Sequence, residues 1–315
     1  MLLPPLSRYT DYPYRVILAS FHPPFLTTEM ANARAILQKN RRAMQILKIA
    51  EGDQYNGVQL VGNIPEYMQK AAGVIRDLGF DYIDINMGCT TRKIVLRGEG
   101  VGLMKQEERA YEIVKAVSDT VDLPVTCKLR LGPSKHSLNA LSFSQKLVDA
   151  GAVALTIHGR SGEKKFGMPL DLDLIQNVVA TLSVPVITNG GISTGVEALG
   201  VIQRTGAAAV MPGRGLLGNP WLIPEILSSF SHKQYTPPSL QQKKDVCRNH
   251  LTLLEKFYGE QWAILRMRSI LPYYFSSCVD IKKLKNDIQQ VTTTKEIYLI
   301  LERIQTKGSA IIYRK

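Results

Sequence analysis

The sequence predicts an α/β protein in which a (β/α)8 barrel of the TIM type is followed by a small C-terminal helical domain. Three observations carry this. Short apolar strand candidates alternate with helical stretches eight times, and those strands end on polar residues or glycine-rich turns. Beyond a proline-bearing linker the pattern turns helical and basic.

The strand candidates are Leu2–Leu6, Pro24–Thr28, Gly57–Val61, Tyr82–Asn86, Val125–Arg130, Ala154–His158, Val184–Asn189 and Ala208–Gly213. Helical intervals fall at Ala33–Lys39, Ile64–Leu78, Glu107–Val121, Ser142–Ala150, Leu172–Leu182 and Thr194–Thr205. Gly79, Gly151 and Gly206 stand where a helix C-terminus favours a left-handed residue. The alternating part spans about 235 residues, close to the usual barrel. An open doubly wound sheet is the alternative, but it would carry GxGxxG after the first strand, where this chain reads PPLSRYTD.

His232–Ser239, with adjacent prolines, reads as a linker, so the expected domains are a barrel over 1–235 and a helical unit over 240–315. No convincing strand precedes Ala310 in the second unit. It holds fourteen Lys and Arg against seven Asp and Glu, a surplus of seven out of a net charge of +12. Clustered cations of this kind displace counterions from phosphates, which points to nucleic acid or another acidic surface as partner, set against a generally basic composition.

No apolar run is long enough to span a bilayer, and the opening MLLPPL is too short and proline-rich for a signal peptide. Cys89, Cys127, Cys247 and Cys278 lack metal-ligand spacing, so the expectation is free thiols in a reducing, cytoplasmic compartment and no zinc site.

Alternation along a strand places residues two apart on one face. In Val125–Arg130 the face Thr126, Lys128, Arg130 opposes the apolar Val125, Cys127, Leu129, which leaves Lys128 inside the barrel near its mouth. The matching positions on other strands are Gln59, Asn86, His158 and Asn189. Polar groups at these strand ends read as functional, and a lysine inside a strand meets an anion or cofactor. The seventh and eighth strands end in Asn189-Gly190-Gly191 and Gly213-Arg214-Gly215, where barrels of this type hold a phosphate, aided by a following helix N-terminus. His158, closing a strand beside Arg160, reads as a cofactor or substrate ligand, whereas His22, His136, His232 and His250 read as surface or linker residues. Cys89 lies in a Gly-Cys-Thr turn past a strand, near Arg92 and Lys93, cations that favour a thiolate. No histidine lies nearby in sequence to serve as its base, which favours thiol proton transfer over nucleophilic hydrolysis.

Taken in order, these segments resemble the tRNA-dihydrouridine synthase family across nearly the whole chain. The family's PMAGxTDxPFR opening is similar to Pro5–Arg15, its second strand to Thr28-Glu29-Met30 and its VQL to Val58–Leu60. DINMGC stands at Asp84–Cys89, and the KxxRxGxGxxL loop is similar to Lys93–Leu103. KxRxG, TIHGR, PVIxNGxI and GRxxxGxPW follow at Lys128–Gly132, Thr156–Arg160, Pro185–Ile192 and Gly213–Trp221. Two departures stand out: Thr90 replaces the family's proline, and Leu6-Ser7-Arg8-Tyr9 replaces small residues.

The resemblance implies an FMN-dependent enzyme that reduces a specific uridine of tRNA to 5,6-dihydrouridine with NADPH as reductant. It implies that Pro5, Leu6 and Ser7 line the flavin, and that Gln59, Lys128 and His158 contact its ring and ribityl chain. Asn189, Gly190, Gly191, Gly213 and Arg214 would surround the phosphate. Hydride would pass from flavin N5 to C6 of the uracil and a proton from Cys89 to C5, with the uridine drawn out of its stack. Asn86 would bind the uracil, Arg160 would lie near it, and Lys93 and Arg97 would meet RNA. The helical domain would grip the RNA backbone, with the protein acting as a monomer. The competing expectations are another FMN barrel acting on a free pyrimidine and an RNA-binding factor on an inactive barrel.

Overall fold

The computed structural model describes residues 1–163, 169–307 and 310–313. The strands β1 (Leu2–Leu3), β2 (Phe25–Asn32), β3 (Tyr55–Val61), β4 (Tyr82–Met87), β5 (Val125–Arg130), β6 (Ala154–His158), β7 (Val186–Asn189) and β8 (Ala209–Met211) form one sheet in sequence order. Every neighbouring pair is parallel. The sheet curls until β8 approaches β1, giving the nearly closed (β/α)8 barrel that the alternation predicts.

The helices are α1 (Tyr12–Ala19), α2 (Ala33–Leu37), α3 (Arg41–Ile46), α4 (Pro65–Asp77), α5 (Arg92–Val95), α6 (Glu107–Ser118), α7 (Ala140–Asp149), α8 (Leu172–Thr181), α9 (Gly195–Thr205) and α10 (Leu222–Phe230). Their ends follow local chemistry. Asp11 accepts the Tyr14 N–H at 3.1 Å and Pro13 sits in the first turn of α1, where its missing N–H costs nothing. Thr194 and Glu197 form a capping box on α9, which stops at Gly206 with φ 69°.

The strand boundaries depart from expectation where the backbone loses donors or gains partners. β1 ends at Leu3 rather than Leu6, because Pro4 and Pro5 have no N–H for the ladder. β2 continues past Thr28 to Asn32 through a register shift between Thr27 and Met30 against β3. β8 ends at Met211, which places Gly213 in the following turn.

After the linker, Ser239 and Gln242 make a second capping box that opens α11 (Leu240–Tyr258). Next come α12 (Glu260–Tyr274), α13 (Ile281–Gln290) and α14 (Thr294–Arg303). The tail is not helical throughout: β9 (Ile304–Lys307) pairs antiparallel with β10 (Ala310–Tyr313). Alternation over so few residues carried too little signal to show β9 in the sequence. Two of the tail's fourteen cations, Arg314 and Lys315, lie outside the described residues.

Two apolar cores organise the molecule. One packs β3–β7 against α4, α6, α7 and α8. The other joins β1, α1, β8 and α10 to α11–α14, so the tail completes the core on the closing side of the barrel. His250 belongs to this seam and is not a surface residue, contrary to expectation. Its spacing from Cys247, Leu251 and Leu254 puts it on the inner face of α11, where it is 2% exposed. Its Nδ1 lies 3.1 Å from the Tyr274 hydroxyl, its ring stacks on Tyr14, and burial pushes its pKa down to about 3.

Candidate functional site

Strand register brings the polar strand ends together at the carboxyl face of the barrel. Gln59 stands beside Asp84, and Asn86 beside Lys128. Arg130, His158, Asn189 and Met211 align across β5 to β8. The alternation expected in β5 holds, with Val125, Cys127 and Leu129 buried and Thr126, Lys128 and Arg130 facing inward.

A chain of hydrogen bonds crosses the floor of the mouth. Thr126 Oγ1 donates to Asp84 Oδ1 at 2.8 Å, and Gln59 Nε2 donates to Asp84 Oδ2 at 2.6 Å. Asn86 Nδ2 then donates to Gln59 Oε1 at 2.6 Å. Burial raises the pKa of Asp84, opposed by these donors and by Lys128. Asn86 Oδ1 accepts the Cys89 N–H at 2.9 Å and the Gly88 N–H at 3.3 Å, so the buried amide shapes the turn that carries the thiol. Gln59 lies wholly beneath the surface, with both ends of its amide engaged by Asp84 and Asn86.

Cys89 is half-buried, whereas Cys127, Cys247 and Cys278 are buried. The loop behind it depends on Gly100. At φ 59°, a Cβ there would fall 2.7 Å from the Cys89 carbonyl oxygen, and Val101 N–H donates to that same oxygen at 3.0 Å. The cation that reaches this turn from the barrel is Arg130, whose Nε donates to the Gly88 carbonyl at 2.9 Å. Burial lowers the Arg130 pKa, the Cys89 charge raises it and Arg160 lowers it again. Arg92, Lys93 and Arg97 lie exposed on and just after α5.

Lys128 Nζ donates to Asn189 Oδ1 at 2.8 Å, and Asn189 Nδ2 donates to the Met211 carbonyl at 2.7 Å, which links β5, β7 and β8. Burial of the ammonium lowers the Lys128 pKa to about 8, with Asp84 opposing the shift and Arg130 adding to it. His158 stays neutral: burial, then Lys128, Arg130 and Arg160, push its pKa down to about 2. Arg130 Nη1 lies 3.4 Å from His158 Nδ1, and His158 Nε2 lies on the Gly190 side of the ring.

Gly190 (φ 115°) and Gly191 (φ 67°) turn sharply after β7, and a Cβ at either would fall 2.9 Å from a Leu170 methyl. Gly213 faces open space beside the exposed Arg214. Gly190 and Gly191 follow β7 and Gly213 follows β8, so the glycine turns lie at neighbouring strand ends. Around the start of α9 three N–H groups have carboxylate partners. Ser193 and Thr194 donate to Glu197 at 2.7 and 3.1 Å, and Gly195 donates to Glu225 at 2.8 Å.

Pro5, Leu6 and Ser7 follow β1 and lead into a turn over 6–10, held by Leu6 N–H to Thr10 Oγ1 at 2.9 Å and Thr10 N–H to the Leu6 carbonyl at 2.9 Å. Sequence reasoning did not single out Asp84, Arg130 or Leu170. The first two could have been found, because they lie two residues before Asn86 and two after Lys128 on the same inward faces. Leu170 left no signal, since it reaches the cradle from a connection far from both glycines in sequence.

A nearly closed parallel barrel with its polar groups gathered at the strand C-termini is the architecture of a barrel enzyme. The fold is also that of a solved morphinone reductase, which is 12% identical, with 77% of this chain and 88% of that one covered and a TM-score of 0.50. The family model described as dihydrouridine synthase (Dus) matches residues 2–310, and the chain belongs to that family of flavin-dependent oxidoreductases. It is 34% identical over 274 residues to a probable tRNA-dihydrouridine synthase of Rhizobium leguminosarum bv. phaseoli, covering 87% of this chain and 84% of that one. A tRNA-dihydrouridine synthase B of Pasteurella multocida is 31% identical over 304 residues, with 96% and 91% covered.

Proposed function

We propose that this protein reduces a uridine of tRNA to 5,6-dihydrouridine, with FMN in the barrel mouth and NADPH as the reductant. One observation carries the reading. A half-exposed thiol is held by a buried amide at the exit of β4, on the same barrel face as an enclosed lysine, a neutral histidine and a two-glycine cradle.

The residues present fit FMN. The positive-φ glycines Gly190 and Gly191, with Asn189, Gly213 and Arg214, offer N–H groups and charge to its phosphate. Lys128, neutral His158 and the segment Pro5-Leu6-Ser7 would hold its ring and ribityl chain, and Gln59 would reach it by exchanging its bonds to Asp84 and Asn86. Bound there and reduced by NADPH, FMN would supply the hydride accepted by C6 of the uracil. Cys89 gives its Sγ proton to C5, and the Arg130 guanidinium at the Gly88 carbonyl favours the thiolate left behind until solvent reprotonates it. Asn86 orients that turn. Its Nδ2 lies 3.9 Å from the Met30 sulfur, and the hydrogen on that side would turn to a uracil carbonyl.

Arg160, Lys93 and Arg97 would meet the RNA near the flipped base, and the helical unit over 240–315 would hold its backbone, against a catalytic barrel over 1–235. The protein would act as a monomer on its RNA, in the cytoplasm. Mass spectrometry of digested tRNA tests the activity. The purified, flavin-loaded protein should form dihydrouridine with NADPH, and Cys89→Ala should keep its flavin and lose the product. Turnover of a free pyrimidine without tRNA would overturn the substrate, and colourless protein that cannot be reconstituted with FMN would overturn the cofactor.

A further inference from the structure

A cavity of about 850 Å³ opens beside the barrel mouth, between the exits of β1 and β2 and the helices α11 and α12. That volume lies within the range of small-ligand pockets. Arg8, Arg41 and Arg42 line it from the barrel, and Tyr258, Trp262 and Arg266 from the tail. Glu29 is the one carboxylate among its lining residues, and its Oε1 already accepts the Arg8 N–H at 2.5 Å. Among the described residues, no carboxylate forms an ion pair with Arg8, Arg41 or Arg42.

The cavity wall is built for something other than protein packing. Trp262, Arg266 and Ser269 recur at helical spacing, so one face of α12 points into the cavity instead of into the core. Trp262 remains 59% exposed and Leu265 49%, while the Tyr14–His250 seam a few turns away is fully closed. Arg8 adopts φ 75°, a left-handed backbone that a non-glycine residue holds only when its surroundings fix it. Here they do: Glu29 takes its N–H, and Arg266 donates to its carbonyl at 2.6 Å. The Arg8 side chain therefore leaves the turn over 6–10 on the cavity side.

Unpaired guanidiniums around an open indole match a phosphate attached to a flat aromatic ring. We propose that this cavity is a second nucleotide-binding pocket, which takes an unstacked ribonucleotide of the same RNA strand that presents the uridine to Cys89. The base stacks on Trp262, and Arg8, Arg41 and Arg42 hold the phosphate. The inference rests on the RNA reading given above. The nicotinamide dinucleotide is the competing occupant.

The chain has two tryptophans and the other, Trp221, is 8% exposed, so Trp262 emission reports on the cavity. Full-length, flavin-loaded protein is titrated with an unmodified tRNA transcript and, separately, with NADPH. The expected result is saturable quenching by tRNA alone, absent in Trp262→Phe. In Arg41→Gln/Arg42→Gln the same quenching should need about tenfold more RNA. Quenching by NADPH that disappears in Trp262→Phe overturns the proposal. So does tRNA that is bound and reduced while Trp262 emission stays unchanged. Dihydrouridine measured in the same samples separates the two readings, because quenching without product leaves the pocket standing and removes the activity.

Discussion

Asn86 Oδ1 accepts the backbone N–H of Cys89 at 2.9 Å, so the amide expected to read the uracil also holds the turn that presents the thiol. Asn86→Ala should therefore lower turnover by about 100-fold, because a displacement of about 1 Å in a reacting group has that effect. Bound flavin should be unchanged. Single-turnover formation of dihydrouridine, read beside the flavin absorbance, checks both. Loss of flavin together with activity would show that the residue acts on the cofactor instead.

Gly100 lets the basic loop close over the same turn. Gly100→Ala forces φ 59° on a residue with a Cβ and sets that atom 2.7 Å from the Cys89 carbonyl. The expected cost is about 1–3 kcal/mol of stability, with slower dihydrouridine formation. Urea denaturation and product analysis measure the two effects.

Lys128 should make cofactor binding pH-dependent. Its pKa is lowered from 10.5 to about 8, so the ammonium facing an anionic ligand is lost as pH rises through 8. FMN affinity should fall above that pH in the wild type and stay weak and level from pH 7 to about 9 in Lys128→Met. Stability of the flavin-free protein should run the other way. Between pH 8 and 10.5 the unfolded chain binds more protons at this lysine than the folded one, so folding gains with rising pH. Denaturation midpoints of wild type and Lys128→Met across that window test the sign.

Lys93 and Arg97 are exposed on the loop side of Cys89, where they would meet phosphates. Replacing both with glutamine should raise the KM for tRNA and reduce the salt slope of binding by about 2, with little change in kcat. An unchanged salt slope would place the RNA elsewhere.

The helical unit should not separate cleanly from the barrel. Tyr14, Ile17 and Leu18 of α1 share one core with Cys247, Leu251 and Leu254 of α11. A chain ending at residue 235 exposes that face and should aggregate or bind a hydrophobic dye. A cooperative, soluble barrel of that length would show that the tail only docks.

The barrel was readable because each strand carries its own period and each helix its own stop, as Gly206 and the alternation in β5 illustrate. The same alternation pointed to Lys128, Asn86 and His158, since a strand fixes which residues share a face. What stayed hidden depends on residues distant in the chain. His250 looked like one more polar residue on a basic helix until Tyr14 and Tyr274 closed around it. Glu225, from a different helix, takes the Gly195 N–H at the start of α9. The cavity beside the mouth combines residues from both ends of the sequence, and no local pattern announces it.

The shared core of α1 and α11 also bears on how the protein is made. Tyr14 donates its hydroxyl hydrogen to the Leu216 carbonyl, and its ring stacks on His250, so a helix near the start of the chain is completed by residues more than two hundred positions later. During synthesis the apolar face of α1 stays uncovered until the residues of α11 have been made.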